Sequence, residues 1–161
     1  MPFPDELVVG LISDTHGLLR AEAAHALKGS DFIIHAGDVG DPAVLRDLSS
    51  LAPVTAVRGN VDRGSWASSL PETEVLGVGA ALIYVLHDVA QLNLNPAAAG
   101  FHAVVCGHSH RPEQRESEGV LFVNPGSAGP RRFKLPITVG RLRVAGTRIT
   151  AELIGLEARH G

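Results

Sequence analysis

Three observations predict an α/β fold of two stacked sheets with helices outside. Short apolar runs alternate with helical patterns in the first half of the chain. Strands dominate the second half, and no linker, repeat or charge block divides the two. A βαβαβ alternation implies parallel strands joined by crossover helices, and a strand-rich half must bury its apolar face on a second layer.

Each element follows from local pattern. "LVVGLIS" (7–13), "DFIIHAG" (31–37) and "PVTAVRG" (53–59) are short apolar runs that end at Gly or a polar turn, as buried strands do. Between them, "LLRAEAAHALK" (18–28) and "PAVLRDLSS" (42–50) have helical spacing and good helix formers, the second with Pro at its start. Further strands are expected at "AALIYVLH" (80–87), "FHAVVCG" (101–107), "GVLFVNPG" (119–126) and "LPITVGRLRV" (135–144). "GRLRV" and "TRITAEL" flank Ala145-Gly146 as a hairpin. Residues 88–100 read as one helix broken by Pro96.

Composition narrows the function. The 161 residues suffice for one compact domain, expected over 1–161, and are too few for two. A net charge of −3 carries no footprint of a general nucleic-acid binder. No run approaches the roughly 18 apolar residues that span a bilayer. "MPFPDELVVG" lacks a signal peptide's charged and apolar regions, so a cytoplasmic protein without membrane contact is expected. The single cysteine, Cys106, excludes an internal disulfide and a Cys-rich zinc site, and its place after a buried strand makes it a core residue. Homo-oligomerisation stays open.

The chemistry-bearing residues follow strands. "SDTHG" supplies Asp14 and His16, "GDVGD" supplies Asp38, and "GNVD" supplies Asn60 and Asp62. "LHD" supplies His87, and "CGHSH" supplies His108 and His110. In open α/β sheets the carboxyl ends of strands line one rim, where ligands bind. Extended chain would send His108 and His110 to the same side and Ser109 away from them. Each residue has a plainer alternative: Asp14 as a cap for the 18–28 helix, Asn60 as a turn former, His87 as a half-buried histidine. The recurrence of metal-ligand types at five strand ends favours convergence on one crevice. His35, inside a strand three residues before Asp38, is expected in the core or behind a ligand, whereas His25, His102 and His160 lie elsewhere.

"SDTHG", "HAGDVGD", "RGNVD", the strand-end His87, "CGHSH" and "NPGS" (124–127) occur in one order over residues 13–127. In this the chain resembles the calcineurin-like metallophosphoesterases, most of all the small YfcE-type phosphodiesterases, which "SAGPRRF" also resembles. The resemblance implies a four-layer α/β/β/α sandwich of two mixed sheets flanked by helices. It implies a dinuclear centre, with Asp14, His16, Asp38 and His110 on one divalent ion and Asp38, Asn60, His87 and His108 on the other. Asp38 bridges, and Asp38, Asn60 and His87 count as catalytic as well as ligating. Imidazole, carboxylate and amide donors without thiolate suit Mn²⁺ first, with Ni²⁺, Fe²⁺ or Zn²⁺ as substitutes, and not a dedicated Ca²⁺ or Mg²⁺ cage. Two divalent ions against two Asp ligands leave a double positive charge, which a bridging hydroxide and one phosphodiester neutralise.

Arg58, Arg131 and Arg132 are candidate phosphate-binding residues, since a guanidinium matches phosphate oxygens bidentately. "NPGS" is a tight turn, and the resemblance implies that its backbone amides face the metals. Two positions depart from the pattern. Val61 stands where many relatives carry a histidine acid for the leaving group, which favours good leaving groups. Asp88 stands where Gly is frequent, either as a hydrogen-bonding carboxylate behind a ligand or as negative charge narrowing the pocket. The expected activity is metal-dependent hydrolysis of a phosphodiester, in a small-molecule or nucleotide-type substrate. The alternatives are a phosphomonoesterase or nucleotidase, or a non-catalytic protein-interaction scaffold. A retromer subunit has this fold without hydrolase competence, but a scaffold has no reason to keep all seven candidate ligands.

Overall fold

A computed structural model describes residues 6–131 and 134–156. The elements run β1 (Leu7–Ile12), α1 (Ala21–Leu27), β2 (Phe32–His35), α2 (Pro42–Ser49), β3 (Val54–Ala56), β4 (Thr73–Val78) and β5 (Ala81–Leu86). After these come α3 (Pro96–Ala99), β6 (Ala103–Val105), β7 (Pro112–Ser117), β8 (Val120–Pro125), β9 (Thr138–Ala145) and β10 (Arg148–Gly155). They form two five-stranded mixed sheets, ordered β10-β9-β1-β2-β3 and β4-β5-β6-β8-β7. In the first, β1, β2 and β3 are parallel, with Leu11 opposite Ile34 and Ile34 opposite Thr55. In the second, β5, β6 and β8 are parallel, with Tyr84 opposite Val104 and Val104 opposite Phe122.

Alternation along these strands builds the layers. Val9, Leu11, Ile34, Ala36 and Val57 from the first sheet pack on Ile83, Val85, Val105 and Val123 from the second. Ile12, Ile33 and Val39 face the other way, onto Ala23 and Leu27 of α1 and Val44 and Leu48 of α2. Burying such a side chain contributes about 1.5–3 kcal/mol. The two faces of β1 and β2 are therefore both apolar, which explains their unbroken hydrophobic runs. Helix α2 begins as expected, with Pro42 in its first turn and the Asp41 side chain accepting from Ala43 N–H at 2.8 Å.

The fourth layer is thin. Tyr84, Leu86, Val104, Cys106 and Val120 on the outer face of the second sheet are covered by Val89, Leu92, Leu94 and Phe101. Residues 88–100 are not one helix broken at Pro96. They form a 3₁₀ turn, Val89–Gln91, followed by α3, which Pro96 starts and Asn95 caps by accepting from Ala98 N–H at 3.1 Å. Proline lacks the N–H that a first-turn residue does not need, so here it initiates. Strands β4 and β7, absent from the sequence-based expectation, are edge strands of the second sheet. Among the described residues no helix is long and apolar enough to cross a membrane.

Candidate metal centre

The carboxyl ends of β1, β2 and β3 and those of β5 and β6 meet along one rim, and the loops that follow them carry the polar residues. Two groups of side chains have ligand atoms mutually within 4.8 Å: Asp14, His16 and His110, and Asp38, His87 and His108. The groups are contiguous. Asp38 Oδ2 lies 3.8 Å from His16 Nε2 and 3.2 Å from His87 Nε2. Asp14 Oδ1 lies 3.5 Å from His110 Nε2 and 3.9 Å from His87 Nε2. The imidazoles pair in the same way, His16 with His110 at 5.5 Å between ring centroids and His87 with His108 at 5.2 Å. Asn60 is exposed and lines the same cleft as His87 and His108.

Local backbone places these groups. Asp14, His16, Asp38, His108 and His110 have φ of 56°, 48°, 55°, 75° and 65°. Among the described residues Glu118 is the only other non-glycine with positive φ. Such conformations cost on the order of 1–3 kcal/mol each and persist only where surrounding structure over-determines them. Strand alternation therefore does not aim His108 and His110. Both lie in a turn beyond β6, in left-handed conformation, and Ser109 N–H donates back to Gly107 C=O at 2.9 Å. Ser109 is a brace, its Oγ accepting from Asn124 Nδ2 at 3.1 Å and Arg111 N–H at 3.2 Å. Asp14 is no helix cap either, for α1 starts at Ala21 with no side-chain cap.

Several bracing residues gave no signal of this role in the sequence. The Ser13 hydroxyl donates to Asp14 Oδ2 at 2.8 Å, and His108 N–H reaches the same oxygen at 3.1 Å. Buried Asp62 accepts from the N–H groups of Gly59, Gly40 and Val39 at 2.9, 2.9 and 3.2 Å, tying the Asp38 loop to the Asn60 loop. In "NPGS" the side chains act: Asn124 Nδ2 donates to Gly107 C=O at 2.9 Å, and the Ser127 hydroxyl to Asp14 C=O at 3.1 Å. Within the turn the Gly126 amide is bonded to the Asn124 side chain, and just beyond it the amides of Ala128 and Gly129 are bonded to Ser13 and Ser127. His35 is fully buried behind the ligand loops. Its Nδ1 accepts from Gly37 N–H at 3.1 Å, so its Nε2–H donates to Thr15 Oγ1 at 2.9 Å. Burial pushes its pKa down to about 4, overriding Asp14 and Asp62 nearby.

Electrostatics fit a cation. Burial raises the Asp38 pKa, but the adjacent His87 ring, the Val61 N–H and the charge on His87 and His16 outweigh it and hold the carboxyl at about 2. Burial opposes the protonation of His87, yet Asp38, the Ala36 carbonyl and Asp14 raise its pKa. Among the described residues four buried side-chain atoms have no hydrogen-bond partner: Asp14 Oδ1, His16 Nε2, His87 Nε2 and His110 Nδ1. An unmet buried polar atom costs about 1–3 kcal/mol, so the set is a hard-to-intermediate donor cage that a divalent ion would satisfy.

Of the three candidate arginines, Arg58 lines the cleft, which has a volume of about 570 Å³, and its Nη2 pairs with Glu72 at 3.1 Å. Arg131 lies on the exposed loop beyond Gly129 and does not line the cleft, and Arg132 is outside the described residues. Cys106 is buried, as expected.

Residues 7–147 match the model of the calcineurin-like phosphoesterase superfamily domain. A probable metallophosphoesterase of Methanothermobacter thermautotrophicus is 34% identical over 160 residues, covering 92% of each chain. An archaeal phosphodiesterase superposes with a TM-score of 0.76 at 20% identity, over 92% of this chain and all of its own (100%). Vps29 of Entamoeba histolytica, solved with Zn²⁺, superposes at 0.71 with 21% identity, over 94% of this chain and 100% of its own. From its matched length and its archaeal relative, this chain belongs to the calcineurin-like phosphoesterase superfamily.

Proposed function

We propose that the protein is a metal-dependent phosphodiesterase. The observation that carries the reading is the pair of contiguous side-chain groups, Asp14, His16 and His110 beside Asp38, His87 and His108, in which Asp14 Oδ1, His16 Nε2 and His87 Nε2 are buried without a hydrogen-bond partner. Asp14, His16, Asp38 and His110 would hold one ion, and Asp38, Asn60, His87 and His108 the other, with Mn²⁺ the preferred metal. When bound, two divalent ions supply Lewis-acid charge for phosphoryl oxygens and make a water acidic near neutral pH.

The remaining steps fall to this chain's own residues. His87 is held by its Nδ1–H donating to Ala36 C=O at 2.7 Å, which leaves Nε2 directed at Asp38. Arg58, at the cleft edge, exchanges Glu72 for a phosphoryl oxygen, because the pair is surface-exposed and weakly held. Val61 is exposed (42%) beside Asn60 and can donate no proton to a departing alkoxide. That favours esters with good leaving groups, and the archaeal phosphodiesterase among the structural neighbours supports the diester class.

A scaffold remains the rival, since Vps29 shares the fold. Metal binding alone does not separate the two, because a Vps29 itself was solved with Zn²⁺. Turnover does. Protein purified without chelator is expected to carry about two transition-metal ions per chain and to hydrolyse bis-p-nitrophenyl phosphate faster than p-nitrophenyl phosphate. Faster monoester turnover would replace the diester reading by a phosphomonoesterase. Metal-loaded protein with no turnover of either ester would leave the scaffold.

A further inference from the structure

Outside the candidate metal centre, the outer face of the second sheet holds a chamber of about 170 Å³. Its apolar walls come from Val89, the buried Cys106 and Phe122. Arg115, opposite Phe122 across the β7–β8 pair, lays its guanidinium over the Phe122 ring at 4.3 Å. Two carboxylates, Asp88 and Glu113, complete the lining. Both act on Cys106: burial first, and then these charges, push the thiol up to about 12, so it does not serve as a nucleophile.

The chamber adjoins the centre. Asp88 and His108 line both it and the 570 Å³ cleft, and Asp88 Oδ2 lies 3.8 Å from His108 Nε2. The same Asp88 uses Oδ1 to cap the 3₁₀ turn, accepting from Ala90 N–H at 3.0 Å, so its position is fixed. A phosphoryl group held at the rim therefore has two spaces for its two ester arms. The smaller space falls below the roughly 300–1,000 Å³ of a site for a drug-sized ligand, so it holds one ring system. Asp88 and Glu113 oppose a second phosphate by like charge, while Glu113 accepts N–H donors at the edge of a planar ring packed against Val89 and stacked on the Arg115 guanidinium that covers Phe122. Glu113 pairs with Asn124 through the β7–β8 ladder, and its exposed side chain makes no hydrogen bond or ion pair with a described residue, so its oxygens are available.

We infer that this chamber is a subsite for a nucleobase carried on one ester arm of the substrate, which makes the substrate class a nucleoside phosphodiester. This rests on the phosphodiesterase reading, and it names the arm that the metal centre alone leaves open.

The test has two parts. In EDTA, ¹⁵N-labelled protein is titrated with adenosine, with methyl glucoside and with inorganic phosphate. Adenosine is expected to shift the amides of Val89, Cys106 and Phe122, whereas the other two leave them unmoved. Glu113→Gln, an exposed and conservative change, should weaken adenosine about fivefold, since a charged acceptor hydrogen bond outweighs a neutral one. With Mn²⁺ restored, adenosine 5′-(p-nitrophenyl phosphate) should show a KM at least tenfold below that of methyl p-nitrophenyl phosphate. Glu113→Gln should erase most of that gap while leaving kcat on the methyl ester unchanged. Equal shifts from methyl glucoside, no shifts from adenosine, or equal KM values for the two esters would each overturn the nucleobase subsite. If adenosine binds as stated and no ester is hydrolysed, the subsite stands and the phosphodiesterase reading is what fails.

Discussion

His87 Nε2 faces Asp38 Oδ2 at 3.2 Å, while His87 Nδ1 is committed as a donor to Ala36 C=O. A carbonyl only accepts, so the Nδ1 proton is fixed and Nε2 of the neutral ring presents a lone pair to a carboxylate. Two acceptors so close require a positive charge between them. Burial opposes a proton on His87, yet Asp38, the Ala36 carbonyl and Asp14 raise its pKa, and a metal ion would meet the same demand for positive charge.

The first prediction follows from that repulsion. A cation that binds only the folded state stabilises it by about 2.7 kcal/mol at a hundred times its Kd. For a domain of this size that raises Tm by about 5–10 °C. Melting curves with excess Mn²⁺ and with EDTA should differ by this much, and superimposable curves would remove the folded-state metal site.

The two histidines of "HSH" should fail as a unit. His108→Ala and His110→Ala should each abolish most activity, with the double variant only slightly worse, because ligands of one coupled centre do not contribute additively. Metal content should fall by about one ion in each single variant. Near-normal rates in both would mean that these side chains are solvated loop residues. Ser109→Ala should cost about 1 kcal/mol of stability through the lost Asn124 and Arg111 contacts, and should reduce activity only mildly.

Asp62 offers a test of loop bracing without touching a ligand. Asp62→Ala frees three buried or half-buried N–H groups and should destabilise the fold by about 2–4 kcal/mol. Metal affinity should fall with it, measured by calorimetry at a temperature where the variant is still folded. Asp62→Asn keeps an acceptor for one or two of these amides and should lie between. Unchanged stability in the alanine variant would show that the amides find other partners.

Gly59 and Gly107 carry no functional group, yet each should be needed. A Cβ on Gly59 would fall on the Asp38 backbone nitrogen and carboxylate, and one on Gly107 on the Ser13 hydroxyl. Gly59→Ala and Gly107→Ala should therefore displace the loops and lose metal, even though both residues could adopt their backbone angles as alanine. Full metal content and activity in either variant would show that the loops relax freely.

His35 gives the folded protein a pH dependence of known sign. Its pKa falls from 6.5 to about 4 on folding, so the unfolded chain binds the extra proton between these values. Stability is fully present above pH 6.5 and lost as pH falls toward 4, to the extent of roughly 3 kcal/mol. His87, shifted upward, contributes the opposite slope near neutrality. Comparison with His35→Asn in EDTA cancels that contribution. The wild-type advantage over the variant should shrink on acidification, and an advantage constant from pH 7 to 4.5 would show that His35 does not stay neutral.

The sequence by itself determined the central strands, because β1, β2, β5 and β6 lie in short, unbroken apolar runs ended by Gly or polar turns, as strands covered on both faces do. It also determined the residue types at the rim, since carboxylates and imidazoles after strand after strand have no packing role. It did not disclose β7, whose "PEQRES" has no apolar alternation and becomes a strand only by hydrogen bonding to the edge of β8. Thr73–Val78 is similarly an edge, half exposed, and waits on β5 for its register. Tertiary structure alone decided how the ligand side chains converge. Their aim depends on five left-handed residues, and that strain is sustained by contacts between loops far apart in the chain, such as His108 N–H to Asp14 and Gly59 N–H to Asp62 to Gly40 N–H. Local sequence encodes a residue's preferences. Holding five residues against those preferences takes the packed neighbours, and these exist only once the two sheets have met.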